Sequence, residues 1–324
     1  MTKKLPNILK IKLKKFFDTR YGENPHLKGA LYLNQRDRDQ FSVQNFKKIQ
    51  GKEISFNNLL DSNAAILTLS ELGGKKPACV IIKHGNPCGA ALGEDAKNAF
   101  FRAWEKGDSL AAFGGVIGLN RLVDKNLAKL MARKFFEVLL APAIEKSALE
   151  ILSQKPKLII LVNPALKNPQ PSKDLDIKKI RGGFLVQEPD LKEITEKDLK
   201  AATKIKPAKE QIKDLLFAWK ICKVSKSNTI VLAKNETLIS SGVGQQDRKR
   251  CCFLAVTKAG DRAKNTVAAS DGFFPFPDGP EILIKAGVKA IAQPGGSIKD
   301  EDAIAICDKY KISMVFTNIR CFKH

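Results

Sequence analysis

Short apolar runs alternate with amphipathic segments along most of the chain. The runs have the length and β-branched content of buried strands, and the segments between them repeat apolar residues every three or four positions, as helices do. The first half predicts strands at 78–82, 116–119, 138–141 and 158–162, and helices at 98–105, 126–134 and 149–152. Such regular alternation predicts an α/β layered architecture.

The second half continues the alternation, and no repeat at a solenoid period is visible. Helices are predicted at 211–223, 248–264 and 300–309, strands at 266–269, 290–292 and 312–316, and a hairpin at 229–240. Between the halves lies a stretch rich in Pro, Lys and Asp, which favours an irregular connection. The predicted domains are a basic arm (1–19), a first α/β lobe (20–165), the connection (166–207) and a second α/β lobe (208–324).

Composition is that of a globular protein, with 44% hydrophobic and 28% charged residues among 324. Lys and Arg number 56 against 34 Asp and Glu, a net charge of +22. Such an excess favours anionic partners. Because the lysines are scattered, solvated lysine-rich faces explain them better than a nucleic-acid groove does, although small anionic substrates would benefit from the same field. No specific nucleic-acid partner is expected.

The seven cysteines indicate a reducing compartment. Their number is odd, their spacing is irregular, and no Cys-x-x-Cys pair occurs, which argues against a disulfide framework and a zinc knuckle. The longest apolar runs are far shorter than the ~18 residues of a membrane span. Lysines interrupt the apolar residues of the N-terminal segment, unlike a secretory signal. We therefore expect a cytoplasmic protein without a membrane partner.

Candidate chemistry centres on Lys83 and His84, which directly follow the predicted strand 78–82. Catalytic groups in α/β sheets concentrate at the carboxyl ends of strands. A histidine there can act as a general base, and a neighbouring lysine can stabilise an oxyanion. Both can reach one site only if the strand has ended, which Gly85 and Pro87 favour. From spacing alone, a surface lysine beside a partly buried histidine is the commoner explanation.

A zinc deaminase site is not supported. That chemistry needs His-x-Glu followed by Pro-Cys-x-x-Cys. Here Asn86 stands where the glutamate would be, and Cys88 is followed by Gly89-Ala90-Ala91. No metal site is predicted. The aromatic cluster 273–276 is either core or a wall for a flat heteroaromatic ring.

Eight motifs, in their order, resemble one family. They are Arg20-Tyr21-Gly22-Glu23-Asn24-Pro25-His26, Gln50-Gly51-Lys52-Glu53, Lys83-His84-Gly85-Asn86-Pro87-Cys88-Gly89, Phe113-Gly114-Gly115, Lys223-Val224-Ser225-Lys226-Ser227-Asn228, Ser270-Asp271-Gly272-Phe273-Phe274-Pro275-Phe276, Gln293-Pro294-Gly295-Gly296-Ser297 and Phe322-Lys323-His324. This order is similar to the formyltransferase half of the bifunctional AICAR formyltransferase/IMP cyclohydrolase, and the resemblance runs from about Arg20 to the last residue.

The resemblance implies transfer of a formyl group from 10-formyltetrahydrofolate to the 5-amino group of 5-aminoimidazole-4-carboxamide ribonucleotide (AICAR), which gives FAICAR on the route to IMP. It implies two cytidine-deaminase-like, three-layer α/β lobes without zinc. It also implies a homodimer with active sites at the subunit interface. Whether a monovalent cation binds is left open.

The resemblance also assigns residues. His84 corresponds to the family's proton acceptor and Lys83 to its transition-state stabiliser. The positions that hold the nucleotide correspond to Arg20, Tyr21, Gly114, Glu137, Asn228, Arg248, Phe273 and Arg320. Those at the folate site correspond to Lys249, Asp278 and Ser297.

Some features depart from the family. A cyclohydrolase half normally precedes the Arg-Tyr-Gly motif, and only 19 residues do so here. We therefore expect no ring closure to IMP by this chain and a separate IMP cyclohydrolase. Gly272 flanks the aromatic cluster, and Asp247 replaces a usual serine, which is expected to weaken the hold of Arg248 on the nucleotide. The alternatives are a basic nucleic-acid-binding protein and a structural protein, either retaining a decayed formyltransferase fold.

Overall fold

The computed structural model describes residues 5–324, so the first four residues of the predicted arm lie outside it. The strands are β1 (Leu13–Thr19), β2 (Gly29–Asn34), β3 (Lys47–Gln50), β4 (Ala78–Lys83), β5 (Asn86–Leu92), β6 (Gly115–Leu119), β7 (Phe136–Ala141), β8 (Ile159–Val162), β9 (Asp176–Ile180), β10 (Gly183–Gln187), β11 (Lys200–Ala201), β12 (Ile230–Ala233), β13 (Leu238–Gly242), β14 (Val267–Ser270), β15 (Ala290–Gln293) and β16 (Ser313–Phe316). The helices are α1 (Phe56–Leu72), α2 (Ala96–Glu105), α3 (Ser109–Ala112), α4 (Lys125–Ala132), α5 (Lys146–Leu152), α6 (Lys209–Val224), α7 (Arg248–Ala259), α8 (Asp278–Lys285) and α9 (Asp300–Lys309).

Two six-stranded mixed sheets have the same topology. The first has the order β3-β8-β7-β6-β4-β5 and the second β11-β16-β15-β14-β12-β13. In each, the second, third and fourth strands are parallel to one another, and the remaining pairings are antiparallel. Helices enter at matching places, with α1, α2, α4 and α5 corresponding to α6, α7, α8 and α9. The described chain therefore contains one fold twice.

Side chains on each sheet alternate between an inner and an outer helix layer. On β4, Val80 and Ile82 pack into a core that both sheets share through α1 and α6. Cys79 and Ile81 point the other way, into a core with α2 and α4. A second outer core lies between the other sheet and α7, α8 and α9. Each sheet is thus covered on both faces, which is why its central strands read as continuous apolar runs. The predicted α/β class is confirmed.

Helix α1 has a capping box at its start. Ser55 Oγ accepts from the Asn58 N–H (3.1 Å). The helix ends at Gly73, whose φ of +80° suits a residue without a side chain. The buried face of α1 carries Asn58, Ser62 and Thr68 as well as leucine and alanine. This mixed face gives no clean apolar stripe.

Among the segments in which the structure differs from the sequence expectations are the connection, the N-terminal arm and the turn after β4. The connection 166–207 contains an antiparallel hairpin, β9–β10, and strand β11 at the edge of the second sheet. The N-terminal arm contributes β1, which pairs with β2. The turn expected at 85–87 is shorter, because β5 already begins at Asn86. The lobe boundaries themselves stay a prediction.

The two sheets meet edge to edge at their hairpins. Ala91 in β5 forms an isolated antiparallel bridge with Thr237, just before β13. The Leu92 N–H donates to the Glu236 carbonyl (3.0 Å), and the Arg102 guanidinium bonds the carbonyls of Leu92 and Asn235. This contact and the shared core join the two halves. Across residues 5–324, no helix combines the length and apolarity needed to span a membrane.

We predict that Asn120→Ala destabilises the fold. Asn120 is fully buried after β6; its Oδ1 accepts from the Ala78 N–H (2.7 Å) and its Nδ2 donates to the carbonyls of Gly73 and Lys76. Leaving the buried N–H without a partner should lower the free energy of unfolding by about 2–3 kcal/mol in urea titration. The exposed Asn126→Ala in α4 is the control and should change it by less than about 0.5 kcal/mol. Equal effects would contradict the prediction.

Candidate active site

The chain reverses direction between β4 and β5 within two residues. His84 has φ +51° and Gly85 has φ +74°. Positive φ at both positions defines the type I′ hairpin turn, whose twist matches that of the flanking strands. Glycine adopts this conformation readily, whereas a histidine rarely does. The turn places the exposed His84 side chain beyond the end of β4.

The ammonium group of Lys83 is fixed at the end of β4. Its Nζ donates to the carbonyls of Phe113 (3.0 Å) and Gly114 (3.2 Å), in the loop before β6. A Cβ built on Gly114 would lie 3.2 Å from Nζ, so glycine leaves the lysine room there. An ammonium group has three hydrogens. The two carbonyls leave one of them for an oxygen of a ligand.

Glu137 on β7 is an anion held by two donors. Its Oε2 accepts from Lys52 Nζ (3.0 Å) and from Asn58 Nδ2 (3.2 Å). Burial acts to raise the pKa of Glu137, but these hydrogen bonds and the charges of Lys52 and Lys83 outweigh it and hold the pKa below its ordinary value. The carboxylate is therefore charged, and it is held in place by Lys52 and Asn58.

Arg248 belongs to a buried polar group in the second half. Its side chain is only 7% exposed and forms an ion pair with Asp271, which is fully buried. The guanidinium also donates to Ser270 Oγ (3.0 Å) and to Asn228 Oδ1. Asp271 accepts in addition from the Thr229 N–H (3.0 Å). Every charge in this group is thus matched by a partner, which a buried ion pair requires.

Asn228 links this group to the loop before α7. Its Nδ2 donates to the carbonyls of Gln245 (2.8 Å) and Gln246 (3.2 Å), while its Oδ1 accepts from Arg248. The side-chain amide therefore has partners on both its nitrogen and its oxygen. This fixes the loop relative to Arg248.

The C-terminal segment lies over Arg248. The Phe322 ring centroid is 6.0 Å from the guanidinium carbon of Arg248 and 4.9 Å from that of Arg320. A Cβ on Gly272 would come within 2.5 Å of the Phe322 ring and 2.7 Å of Arg248 Nη2. Gly272, a departure from the family pattern, is therefore required by this close packing.

The turn at His84 and the Arg248 group are joined by hydrogen bonds. Asn86 Oδ1 accepts from the Lys226 N–H (3.0 Å). The next residue, Ser227, donates through its hydroxyl to Asp271 and through its N–H to the Lys323 carbonyl (2.9 Å). A continuous chain of contacts thus runs from the turn to Arg248 and the C-terminal segment.

The three residues expected at the folate site have local partners. Lys249 Nζ lies 3.4 Å from Asp278 Oδ2, so α7 brings a cation to the first turn of α8. Ser297 forms its hydrogen bonds within its own turn, where its N–H donates to Asp300 (3.1 Å) and its Oγ accepts from the Lys299 N–H. The structure therefore brings Lys249 and Asp278 together and places Ser297 in a separate turn before α9.

Asp247 acts as the N-cap of α7. Its Oδ1 accepts from the Arg250 N–H (2.7 Å), and its Oδ2 lies 3.4 Å from Arg250 Nε. Aspartate and serine are both good N-caps. This carboxylate engages Arg250, whereas Arg248 is bound by Asp271. The substitution therefore keeps the cap without replacing the partner of Arg248.

Arg20, Tyr21 and Phe273 occupy exposed or partly exposed positions. The guanidinium carbon of Arg20 lies 5.4 Å from the Tyr21 ring centroid. Their loop is attached to α1 by Asn57 Nδ2, which donates to the Glu23 carbonyl (3.1 Å). Phe273 is 42% exposed, whereas its neighbour Phe274 is fully buried. The aromatic cluster thus provides both core and an exposed ring.

Four residues that support the site have no predicted role. Lys52 and Asn58 hold Glu137, Asp61 bonds the turn at His84, and Asp271 pairs with Arg248. Lys52 and Asp271 lie within the motifs quoted above, so their positions were visible but not their contacts. Within residues 5–324, no group of three or more His, Cys, Asp or Glu side chains is arranged to hold a metal ion.

Comparison with known proteins gives a consistent family. The model of the family described as AICARFT/IMPCHase bienzyme matches residues 1–258. The chain is 45% identical, over 98% of its length, to the bifunctional purine biosynthesis protein PurH of Thermoanaerobacter sp. (strain X514), and spans 61% of that protein. It is 43% identical over its whole length to PurH of Bacillus cereus (strain AH187), and spans 62% of it.

A likeness among solved structures is much weaker. Acinetobacter baumannii RibD, form 2, matches 34% of this chain and 36% of its own at 12% identity, with a TM-score of 0.24. A likeness at this level carries no argument about the fold.

We predict that Asp271→Asn is strongly destabilising. The change leaves the Arg248 guanidinium buried without a counter-charge, and removing one partner of a buried ion pair costs about 3–5 kcal/mol. Asp278→Asn removes the partner of the exposed Lys249 and should cost about 0–1 kcal/mol. Urea unfolding of the two variants compares them, and an Asp271→Asn protein as stable as Asp278→Asn would contradict the buried pairing.

Proposed function

The chain belongs to the AICARFT/IMPCHase bienzyme family, and from this premise we propose that it transfers the formyl group of 10-formyltetrahydrofolate to the 5-amino group of AICAR. The chain spans 61–62% of the length of the PurH relatives described above. The observation that carries the proposal is the turn after β4, where Lys83, whose ammonium is fixed by two carbonyls, is followed directly by the exposed His84.

His84 is the proposed proton acceptor. The amino group of AICAR is conjugated with its ring and carboxamide, so it is a poor nucleophile until its proton is removed. A positioned base contributes typically 10²–10⁴-fold to the rate of such a step. His84 suits this role because its side chain is exposed on the turn, where a bound nucleotide can reach it.

Lys83 is the proposed stabiliser of the oxyanion. When the amine attacks, the formyl carbonyl oxygen becomes negatively charged. A donor already fixed in place is effective because it does not reorganise during the reaction, and one such donor is worth about 2.7–4 kcal/mol. Two carbonyls hold the Lys83 ammonium, which leaves one hydrogen free to bond the oxyanion.

The remaining site residues are proposed to hold the two substrates, both of them anionic. For the nucleotide they are Arg20, Tyr21, Gly114, Glu137, Asn228, Arg248, Phe273 and Arg320, and for the folate Lys249, Asp278 and Ser297. Arg248 suits this role because Asp271, Ser270 and Asn228 fix its orientation. The net charge of +22 attracts both substrates over longer distances.

The active form is proposed to be a cytoplasmic homodimer with its sites at the interface. The exposed rings of Phe113 and Phe135, with centroids 4.8 Å apart, lie next to the loop that binds Lys83, as an interface would require. The seven cysteines are unpaired and buried, which suits a reducing compartment. Analytical ultracentrifugation should give twice the chain mass, and a monomer at catalytic concentrations would contradict the dimer.

We predict that His84→Asn abolishes most formyl transfer while the protein stays folded. Asparagine is the residue that the equivalent turn of the second half carries, at Asn235 with φ +52°, so the turn should persist. Loss of the base should lower kcat by about 10²–10⁴-fold in an assay of tetrahydrofolate release.

The matched control is the reciprocal variant Asn235→His. It places an imidazole in the other turn and should leave kcat unchanged. Equal activity of the two variants would contradict the role of His84. A nucleic-acid-binding protein would instead bind unrelated polyanions with an affinity that falls steeply with salt and is independent of His84.

A further inference from the structure

Asp61, on the inner helix α1, bonds both backbone amides of the turn after β4. Its Oδ1 accepts from the Gly85 N–H (2.6 Å) and its Oδ2 from the His84 N–H (3.3 Å). The turn is fastened further by Asn86 Nδ2, which donates to the His84 carbonyl (3.1 Å). Both oxygens of one carboxylate thus hold the two residues whose φ is positive.

The second half has the same arrangement on the corresponding helix. Asp214 on α6 accepts from the Asn235 N–H (2.8 Å) through Oδ2 and from the Glu236 N–H (2.6 Å) through Oδ1. These residues form the turn between β12 and β13, with φ +52° and +54°. A helix carboxylate bonded to both amides is therefore the way in which this duplicated fold stabilises its hairpin turn.

The arrangement has a conformational cost in both turns. Non-glycine residues with positive φ are unfavourable and persist where the surroundings over-determine them. Hydrogen bonds from N–H groups to a carboxylate are about twice as strong as neutral ones. At Asn235 they stabilise a turn whose carbonyls bond Leu92 and Arg102 in the other half. At His84 they hold the backbone that carries the imidazole, directly after Lys83.

We propose that Asp61 is a positioning residue that acts through His84, holding the imidazole at the geometry which proton transfer needs. The inference rests on the proposed formyl transfer. Asp61 reaches the backbone of the turn, and its effect on the reaction passes through the conformation of His84. Loss of the carboxylate lets the turn relax, and misplacement of a reacting group by about 1 Å costs roughly 10²-fold in rate.

The test compares Asp61→Asn with the matched control Asp214→Asn. Each replaces one accepting oxygen by an NH₂ group that faces a backbone N–H, so both should lower the urea midpoint by similar amounts. In formyl transfer, Asp61→Asn should lower kcat about 10²-fold with KM changed less than about threefold, because it removes an interaction needed in the transition state. Asp214→Asn should keep the wild-type kcat.

A double-mutant cycle shows whether Asp61 works through the imidazole. In a His84→Asn background, Asp61→Asn should cause no further loss of kcat, because the side chain that it positions is gone. Should Asp61→Asn not fold, Asp61→Glu, which shifts the carboxylate by one methylene group, is measured in the same way.

Three outcomes would overturn the inference in distinguishable ways. Equal kcat for Asp61→Asn and Asp214→Asn, with an active wild type, would overturn the positioning role alone. A full additional loss of kcat in the His84→Asn background would show that Asp61 does not act through His84. A folded wild-type chain without turnover would overturn the proposed function, and this inference with it.

Discussion

A chain reversal with left-handed backbone at two successive residues is the constraint on which the site depends. Lys83 and His84 are neighbours, and on a regular strand their side chains would point to opposite faces of the sheet. The strand ends at Lys83, and the turn begins at His84, so the two side chains leave the strand at its end. The other groups lie around this turn: α1 holds it, the loop before β6 holds Lys83, and Lys226 bonds the start of β5.

The duplicated fold carries different side chains at one pair of corresponding positions, and only one of them binds a residue of the candidate site. Asn120 and Asp271 occupy the same place in the two halves, directly after the first of the three parallel strands in chain order. Each accepts from the backbone N–H at or just before the start of the neighbouring strand, Ala78 in one half and Thr229 in the other. The neutral Asn120 binds carbonyls of a loop, whereas the charged Asp271 pairs with Arg248. The two positions thus share a backbone contact and differ in charge, and the charged one pairs with a guanidinium.

Much of the fold follows from the sequence because its strands are buried on both faces. Apolar runs such as those of β4 and β7 are unmistakable, and their positions agree with the structure within a few residues. Strand β5 was missed, since Asn-Pro-Cys-Gly-Ala-Ala-Leu has the small and turn-forming residues of a loop and owes its strand conformation to pairing with β4. Helix α1 went unpredicted because asparagine, serine and threonine interrupt its buried face.

Because helix α1 was not predicted, the contacts that it makes with the site could not be predicted either. The order of the motifs predicted the family of the chain, which the comparisons confirm, whereas the roles of Lys83 and His84 stay a prediction. Asp61 and Asn58 are one helical turn apart on α1, on the side that faces the turn and Glu137. As long as α1 was not predicted, the three-residue spacing of Asn58 and Asp61 did not indicate that they lie on one side of a helix. The pairing of Asp271 with Arg248 joins residues 23 positions apart and needs the tertiary fold.

The most direct measurement of the central claim follows the formyl carbon itself. Purified protein is incubated with AICAR and with 10-formyltetrahydrofolate carrying ¹³C in its formyl group, and the products are observed by NMR. We predict that the label appears as a formamido carbon on the 5-amino group of the nucleotide with the wild-type chain, and does not with His84→Asn. Label that stays on the folate, or is released only as formate, would contradict the account.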